Sequence, residues 1–290
     1  MKKIGVVGVP GSWSSEQLAD KVAEKTGFRC LIDMGKVHFD ILNGQVMFKD
    51  INLMEFDALI IKKIGRRYGP KLFDRLSILD YLYRNKIKIF SKPSSIRRII
   101  NRLSCTLELE ARNLPIVDTI ICNEINDAVK AVQKFQKAVF KPIYTSKARG
   151  MIVVEDNAHV ADQIRAYKDA GNSTMYIQKF INIPGKDLGL SFLGGKYLGT
   201  YARVANKNSW NTSTESGGKY SAYTPSKDVI KIAKKAQKDL DLAFTCVDIV
   251  ETEEGPKIFE VSAFGGFKGL EKACGLDVAD LYTDFVLEKI

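Results

Sequence analysis

Two carboxylates in apolar surroundings are the first residues that could do chemistry. Asp248 lies in the run CVDIV and Glu260 in the run KIFEVSAFGG. A carboxylate inside an apolar strand is costly unless it is paired or binds a metal ion. A hairpin turning through Glu253, Glu254 and Gly255 would bring the two strands side by side. Two hard oxygen ligands close together suit Mg²⁺, which commonly binds through one or two carboxylates plus substrate phosphates. The competing readings are that each carboxylate pairs with a lysine, or that Asp248 sits on a wet face of its strand. Lys141 is the second candidate, at the end of an apolar strand in AVFKPIYTSKARGMIVVED. The small-residue loop after it could close over a polyphosphate whose charge the lysine neutralises. A plain hairpin with a lysine reaching for solvent explains the same pattern. The third candidate is Gly8-Val9-Pro10-Gly11, a turn ahead of a helix that could hold a phosphate. It has neither GxGxxG spacing nor a Walker lysine, and an ordinary strand-to-helix turn accounts for it. The only histidines are His38 and His159, so a histidine-based triad or an HExxH zinc site is not expected.

These residues need strands and tight turns to hold them. The first third alternates strands over 3–9 and 29–33 with a helix over 14–25, capped by Ser14 or Ser15 and stopped by Gly27. An apolar strand over 58–61, the basic turn KKIGRRYG, a helix over 73–84 and a strand over 88–90 follow. That pattern predicts a small open α/β sheet. Lys92-Pro93-Ser94-Ser95 reads as a turn and the first domain boundary, with a long helix over 96–111 after it. Strands over 117–122, 138–142, 151–155 and 175–181 then frame helices over 125–136 and 157–168. A meander over 188–193 and 197–205 turns at Gly194-Gly195. The polar segment NKNSWNTSTESGGKY interrupts it, either as a surface loop or as the functional kind that long loops in compact domains often are. A helix over 226–239, hairpin strands over 245–251 and 256–262 and two terminal helical stretches complete the chain.

Composition narrows the class. The chain has 290 residues, about two domains at roughly 150 residues each. Hydrophobic residues make up 45% and charged residues 27%, which excludes a disordered tail, a collagen-like chain and a small disulfide scaffold. Forty-four basic and 34 acidic residues leave a net charge of +10, which serves solubility or an anionic partner. The five cysteines are odd in number and none is spaced as CxxC. Reduced thiols and a cytoplasmic location follow as expectations. The start MKKIGVVGVPGSW has too short an apolar run for a signal peptide and reads as a buried first strand. No run reaches the ~18 apolar residues of a membrane span.

In this order, VFKPIYTSKARGMIVVED, MYIQKFI, DLGLSFLGGKYLGTYAR, SGGKYSAY and FTCVDIVETEEGPKIFEVSAFGGFKGLEKACGLDVA resemble the ATP-grasp ligases, specifically their RimK-like branch. The resemblance covers almost the whole chain and is strongest after Pro93. It implies an ATP-grasp fold, α/β and α+β, with an N-terminal open α/β (pre-ATP-grasp) domain over 1–93. A central lid subdomain over 94–181 and a C-terminal subdomain over 182–290 would follow. The implied activity is an ATP- and Mg²⁺-dependent ligase, with Mn²⁺ as an alternative ion. Such a ligase phosphorylates a carboxylate, and an amine then attacks the acyl phosphate to form an amide. An amino acid such as glutamate would be added to a peptide or small molecule.

The resemblance also assigns residues. Lys141 matches the lysine that contacts ATP phosphates, and Arg102 keeps a charge where the family has Asp-Lys. Gln178, Lys179, Phe180 and Ile181 match the adenine linker, and Asp187 the acidic residue near the ribose. Arg203 matches the catalytic cation facing the phosphates and the developing acyl phosphate. Asn211 and Ser213 stand in the family's Arg-Ser-Asn stretch, on the nucleotide side. Asp248, Glu260 and Ser262 match magnesium ligands. Ser216, Gly217 and Gly218 match a loop on the substrate side, and residues 146–149 match a closing lid.

Several positions depart from the pattern. Ser262 replaces an asparagine, Lys179 a glutamate and Gly189 an arginine, and the lid has a single glycine. These changes point to an altered substrate. An acidic small molecule or peptide would suit Lys62, Lys63, Arg66 and Arg67, which alternatively form a solvated basic face. Two other readings remain: a nucleotide-binding regulatory protein that has lost ligase activity, and a nucleic-acid binder using Arg97, Arg98 and Arg102. The last is ranked lowest, because no nucleic-acid motif is present. No membrane partner is expected, and a homo-oligomer is compatible with the family.

Overall fold

Short, continuously apolar strands open the fold. In chain order the first elements are β1 (Ile4–Val7), α1 (Trp13–Thr26), β2 (Leu31–Ile32), β3 (Val37–Asp40), β4 (Gln45–Phe48), β5 (Ile51–Asn52), β6 (Ala58–Ile61), α2 (Lys71–Arg84) and β7 (Lys88–Phe90). The computed structural model describes residues 2–146, 148–206 and 209–290. Lys147 of the expected lid and Lys207 and Asn208 of the polar segment lie outside the described residues.

β2, β1, β6 and β7 form one parallel sheet in that order. Its strands are apolar throughout because both faces are covered. Ile4, Val6 and Ile60 pack with Leu18 and Val22 of α1, whereas Val7, Leu59 and Ile61 pack with Leu72, Leu76 and Leu79 of α2. α1 begins one residue earlier than the sequence suggested, with Ser12 rather than Ser14 or Ser15 as its N-cap, and is stopped by Gly27 with φ 73°, as expected. The sheet β3–β4–β5 was not anticipated. Its strands are only two to four residues long and carry polar residues, so the alternation signal is too short to read.

The middle of the chain forms α3 (Pro93–Ile99), α4 (Arg102–Glu110), β8 (Thr119–Cys122), α5 (Ile125–Phe135), β9 (Lys137–Lys141), β10 (Ile152–Glu155), α6 (Val160–Asp169) and β11 (Met175–Lys179). The expected turn at 92–95 is instead the start of a helix, with Pro93 in its first turn. The expected long helix is two helices. Asn101 is extended between them and its side chain accepts from the Ser104 N–H at 2.8 Å. An asparagine in this role caps the second helix and breaks the first. The sheet β10-β9-β11-β8 is antiparallel. Ala138, Phe140, Met175 and Ile177 face α5 and α6 in a core of their own. Val139, Lys141, Tyr176 and Gln178 alternate with them and face the other way.

The last part forms β12 (Lys186–Leu193), β13 (Lys196–Val204), β14 (Lys219–Ala222), α7 (Lys227–Gln237), β15 (Phe244–Thr252), β16 (Gly255–Ser262), α8 (Lys268–Cys274) and α9 (Val278–Leu287). β14, β13, β12, β15 and β16 make an antiparallel sheet in that order. β14 emerges from the polar segment read as a loop, its residues half-buried or exposed and so without an apolar signature. Leu188, Leu190, Val247 and Ile249 pack with α7 residues Val229, Ala233 and Ala236. The opposite face carries Asp187, Gly189, Tyr201, Arg203, Asp248 and Glu260. A Cβ at Gly189 would overlap the ring of Tyr201, and one at Gly269 would lie 2.6 Å from the same ring. Tyr201 therefore fills the space that a side chain at 189 would need. Among the described residues no helix is long and apolar enough to cross a membrane.

Candidate active site

A cleft of about 640 Å³ opens between the two antiparallel sheets and the loops of the N-terminal sheet. Each nucleotide- and metal-site residue expected from the sequence lines it, whereas Ser216, Gly217 and Gly218 do not.

The floor of the cleft is the polar face of the five-stranded sheet. Asp248 of β15 lies directly across from Glu260 of β16. Asp187 of β12 lies directly across from Arg203 of β13. Arg203 Nε donates to both Asp187 oxygens at 3.1 Å, and Nη2 also reaches Asp187 Oδ2. The same Nη2 lies 3.0 Å from Asp248 Oδ2. Asp187 is 4% exposed and thus committed to Arg203. Burial pushes the Asp248 carboxyl above the usual range, while Arg203 pulls it down and Glu260 pushes it up again. Burial also opposes the charge on Arg203, but Asp248 and Asp187 overcome it and hold the guanidinium protonated.

Glu260 makes no hydrogen bond or ion pair among the described residues. Ser262, two residues further along β16, accepts from the Phe264 N–H at 3.3 Å. No group of three or more His, Cys, Asp or Glu side chains among the described residues could hold a metal ion by itself. Two carboxylates and a hydroxyl on one strand pair nevertheless fit Mg²⁺, whose remaining positions are usually filled by water and phosphate oxygens. An unpartnered Glu260 beside a carboxyl of raised pKa is the chemistry such an ion would satisfy.

The facing wall carries Lys141 on β9. Its ammonium donates to Gln178 Oε1 and lies 5.0 Å from the Phe259 ring centre. Gln178 Nε2 in turn donates to Thr119 Oγ1 and to Tyr176 Oη, both at 3.1 Å. Gln178 is therefore a positioning residue for Lys141. Burial, reinforced by Arg102, lowers Lys141 to about 7. Arg102 donates to the carbonyls of Pro142 and, at 3.2 Å, Thr145, so it fastens the start of the loop after β9. Arg149 of the same loop lies 4.0 Å from Glu215 on the opposite rim.

One end of the cleft is apolar, lined by Val139, Met151, Phe180, Ile181 and Ile183, with Lys179 beside them. The Phe180 and Trp210 rings are 6.5 Å apart. Trp210 was missed in sequence, although a lone tryptophan in a polar run is itself a signal. Asn211 accepts from the Ser213 N–H at 3.0 Å, and Ser213 Oγ accepts from the Glu215 N–H at 3.2 Å. Both side chains shape the turn over Thr214–Ser216.

The basic turn needs correction. Lys63 and Arg66 line the cleft, but Lys62 and Arg67 do not. Lys62 is 2% exposed, donates to the Gly265 carbonyl at 2.6 Å and lies 4.3 Å from the Phe267 ring centre. The strand alternation that sends Lys63 to the cleft turns Lys62 inward. Burial lowers Lys62 from 10.5 to about 7, with Lys63 adding to the effect. The unfolded chain therefore binds a proton that the native state releases between these values, and stability rises with pH across that window. Below it the full penalty is present. Lys62→Met is expected to raise the melting temperature at about pH 6, with the gain shrinking toward pH 10. Thermal unfolding at both pH values checks this; a pH-independent difference would contradict it.

Arg97, Arg98 and Arg102 do not share a binding face. Arg97 lies over Phe73, Arg98 pairs with Glu108, and Arg102 turns into the cleft, where it donates to the Thr145 carbonyl.

Residues 100–286 match the RimK-like ATP-grasp domain. The tetrahydromethanopterin:alpha-L-glutamate ligase of Methanococcus maripaludis is 24% identical, with 98% of each chain covered. A RimK domain ATP-grasp protein from Sphaerobacter thermophilus superposes with a TM-score of 0.75 at 18% identity, covering 98% of each chain. The ATP-grasp ligase PsnB, solved with a phosphomimetic variant of its minimal precursor, Mg and ADP, superposes with a TM-score of 0.72 at 14% identity. That match covers 100% of this chain and 99% of PsnB.

Proposed function

The chain belongs to the RimK-like ATP-grasp family of carboxylate–amine ligases, and from that premise we propose that it joins L-glutamate through its amino group to a carboxylate on a small molecule or peptide, using ATP. One observation carries the reading. Asp248 and Glu260 are paired across β15 and β16 beside Arg203, and Lys141 faces them from the other wall of one cleft. Glutamate enters from the name of the Methanococcus relative.

Phosphoryl transfer needs positioning and charge neutralisation more than covalent help from the protein. Lys141 and Arg102 would neutralise the ATP phosphates. Residues 179–181 and Trp210 would border the adenine. Asp248, Glu260 and Ser262 would hold Mg²⁺, which supplies charge neutralisation at the phosphates. Arg203 lies where charge would develop on the transferred phosphoryl group and on the acyl phosphate. The lid around Arg149, bridged to Glu215, would keep water from that hydrolysable intermediate.

ATP binding should take up a proton at about pH 8, because a polyphosphate beside Lys141 raises a pKa that burial has lowered to about 7. Calorimetric titration in two buffers of different ionisation enthalpy reads this uptake. Lys141→Met should abolish it. ADP release that depends on L-glutamate and on a carboxylate acceptor then tests the ligation. Nucleotide binding without turnover, across a broad panel of acceptors, would overturn the ligase reading.

A further inference from the structure

Lys62 is a buried charge that the chemistry above does not use. It follows β6, and its N–H still donates to the Val7 carbonyl at 2.9 Å. Its side chain leaves the N-terminal sheet and is buried against the C-terminal part of the chain. There the ammonium lies 4.3 Å from the Phe267 ring centre and 6.0 Å from that of Phe244. Those two rings stand edge to face, 5.1 Å apart. Among the described residues no carboxylate pairs with Lys62, and its charge meets only the two aromatic rings and one carbonyl. A cation in such a place costs the fold, and a methionine side chain of similar length would fill the space without that cost. Local rules broken in this way are characteristic of functional positions.

What the ammonium holds is the turn after β16. The Gly265 carbonyl accepts from Lys62 Nζ at 2.6 Å. Gly265 also packs directly on β15: a Cβ there would lie 2.9 Å from both the Cys246 Cβ and the Phe244 ring. The turn is therefore fixed by Lys62 and by β15 together. Ser262 stands at its start, and Phe264, Gly265 and Gly266 line the cleft, which Lys62 does not reach. Gly265 is buried, whereas Gly266 is exposed. The C=O and N–H of one trans peptide point in opposite directions. Drawing the Gly265 carbonyl inward to Lys62 thus turns the Gly266 N–H outward, on the cleft side. That N–H makes no hydrogen bond among the described residues.

We propose that Lys62 is a positioning residue for ligation: by tying the Gly265 carbonyl it sets the direction of the peptide between Gly265 and Gly266, and with it the wall of the cleft beside Ser262. Lys62 acts through the turn and touches no substrate. Groups that meet charge developing in a transition state are effective when their direction is fixed beforehand. A loosened turn would cost rate and leave substrate binding nearly intact. The catalytic role rests on the ligase reading, but the tie does not.

Lys62→Met removes the donor and keeps the bulk. Gly265→Ala disturbs the same turn from the β15 contact, because the added Cβ overlaps Cys246 and Phe244. Steady-state ADP release, measured well below the melting temperature, should show kcat about tenfold lower in Lys62→Met, with KM for ATP and for L-glutamate within about twofold of wild type. The melting temperature of this variant at about pH 6 should equal or exceed that of wild type. Gly265→Ala should also lower kcat, and the double variant should be scarcely worse than either single one, since both changes act on one turn. Hydrogen exchange over residues 263–267 of the ligand-free protein should be faster in Lys62→Met than in wild type, with exchange in β8–β11 unchanged. Wild-type kcat in Lys62→Met, additive losses in the double variant or unchanged exchange at the turn overturns the proposal. A kcat loss accompanied by a lower melting temperature overturns it too, because that marks a structural role. If wild type releases no ADP with any acceptor, the ligase reading falls, and the exchange comparison alone decides whether the tie stands.

Discussion

Arg203→Met is expected to cost the fold roughly 3–5 kcal/mol at neutral pH, the usual consequence of stripping one partner from a buried ion pair. Arg203 is the shared counter-ion of Asp187 and Asp248, whose side chains are 5% and 16% exposed. Without the guanidinium the Asp248 carboxyl loses the contact that pulls it down, so its native pKa rises further. A carboxyl whose folded pKa exceeds its unfolded value carries no penalty at low pH and the full penalty above the folded pKa. The deficit of the variant should therefore be small at about pH 4 and grow toward neutrality. Urea unfolding of wild type and variant across that range reads it. A second change, Asp187→Asn, should recover part of the loss, because one of the two stranded charges is then gone. ADP formation should fall by about 10²–10³, the scale of losing one group that stabilises transition-state charge. A loss of stability independent of pH, or activity close to wild type, would contradict this account of Arg203.

The legibility of this chain in sequence followed the range of the interactions involved. β15 and β16 were readable because their apolar alternation is long and the turn at Glu253, Glu254 and Gly255 is strong. Plain hairpin register would set Asp248 opposite Phe259; a β-bulge at Phe259 shifts the pairing by one residue and brings Glu260 across from Asp248. The names of the other cleft residues came from the family resemblance, and the structure brings them to one cavity. The commitment of Asp187 to Arg203 was not readable, because it depends on the register of a different strand pair. Lys62 and Lys63 are neighbours of one residue type, yet one is buried and one lines the cleft. Composition cannot separate them; strand direction does. The missing arginine at 189 is explained only by Tyr201, twelve residues away, whose ring occupies the space. The break between α3 and α4 was hidden because the apolar spacing continues through it. Asn101 makes the break by capping α4, and nothing in the apolar spacing marks it.

Asp248→Ala and Glu260→Ala should separate stability from activity in the direction opposite to Arg203→Met. Each is expected to reduce Mg²⁺-dependent ADP formation on the order of 10³-fold or more, since both carboxylates would hold one ion and neither suffices alone. The double variant should be scarcely worse than either single one, as for residues that act as a unit. Neither change should weaken the fold. Glu260 makes no hydrogen bond or ion pair among the described residues, so no contact is lost. Asp248 carries a carboxyl that burial and Glu260 push up, so its charged form costs the native state energy. Its removal also leaves Arg203 paired with Asp187 through several hydrogen bonds. Melting temperatures should therefore equal or exceed that of wild type, in a magnesium-free buffer that keeps ion binding from masking the comparison. Inactive but equally or more stable variants are the mark of carboxylates kept for function at a cost to the fold. If either variant retained full activity, the metal assignment would fall. If both lost activity together with several degrees of melting temperature, the carboxylates would be structural partners that the cleft geometry does not reveal.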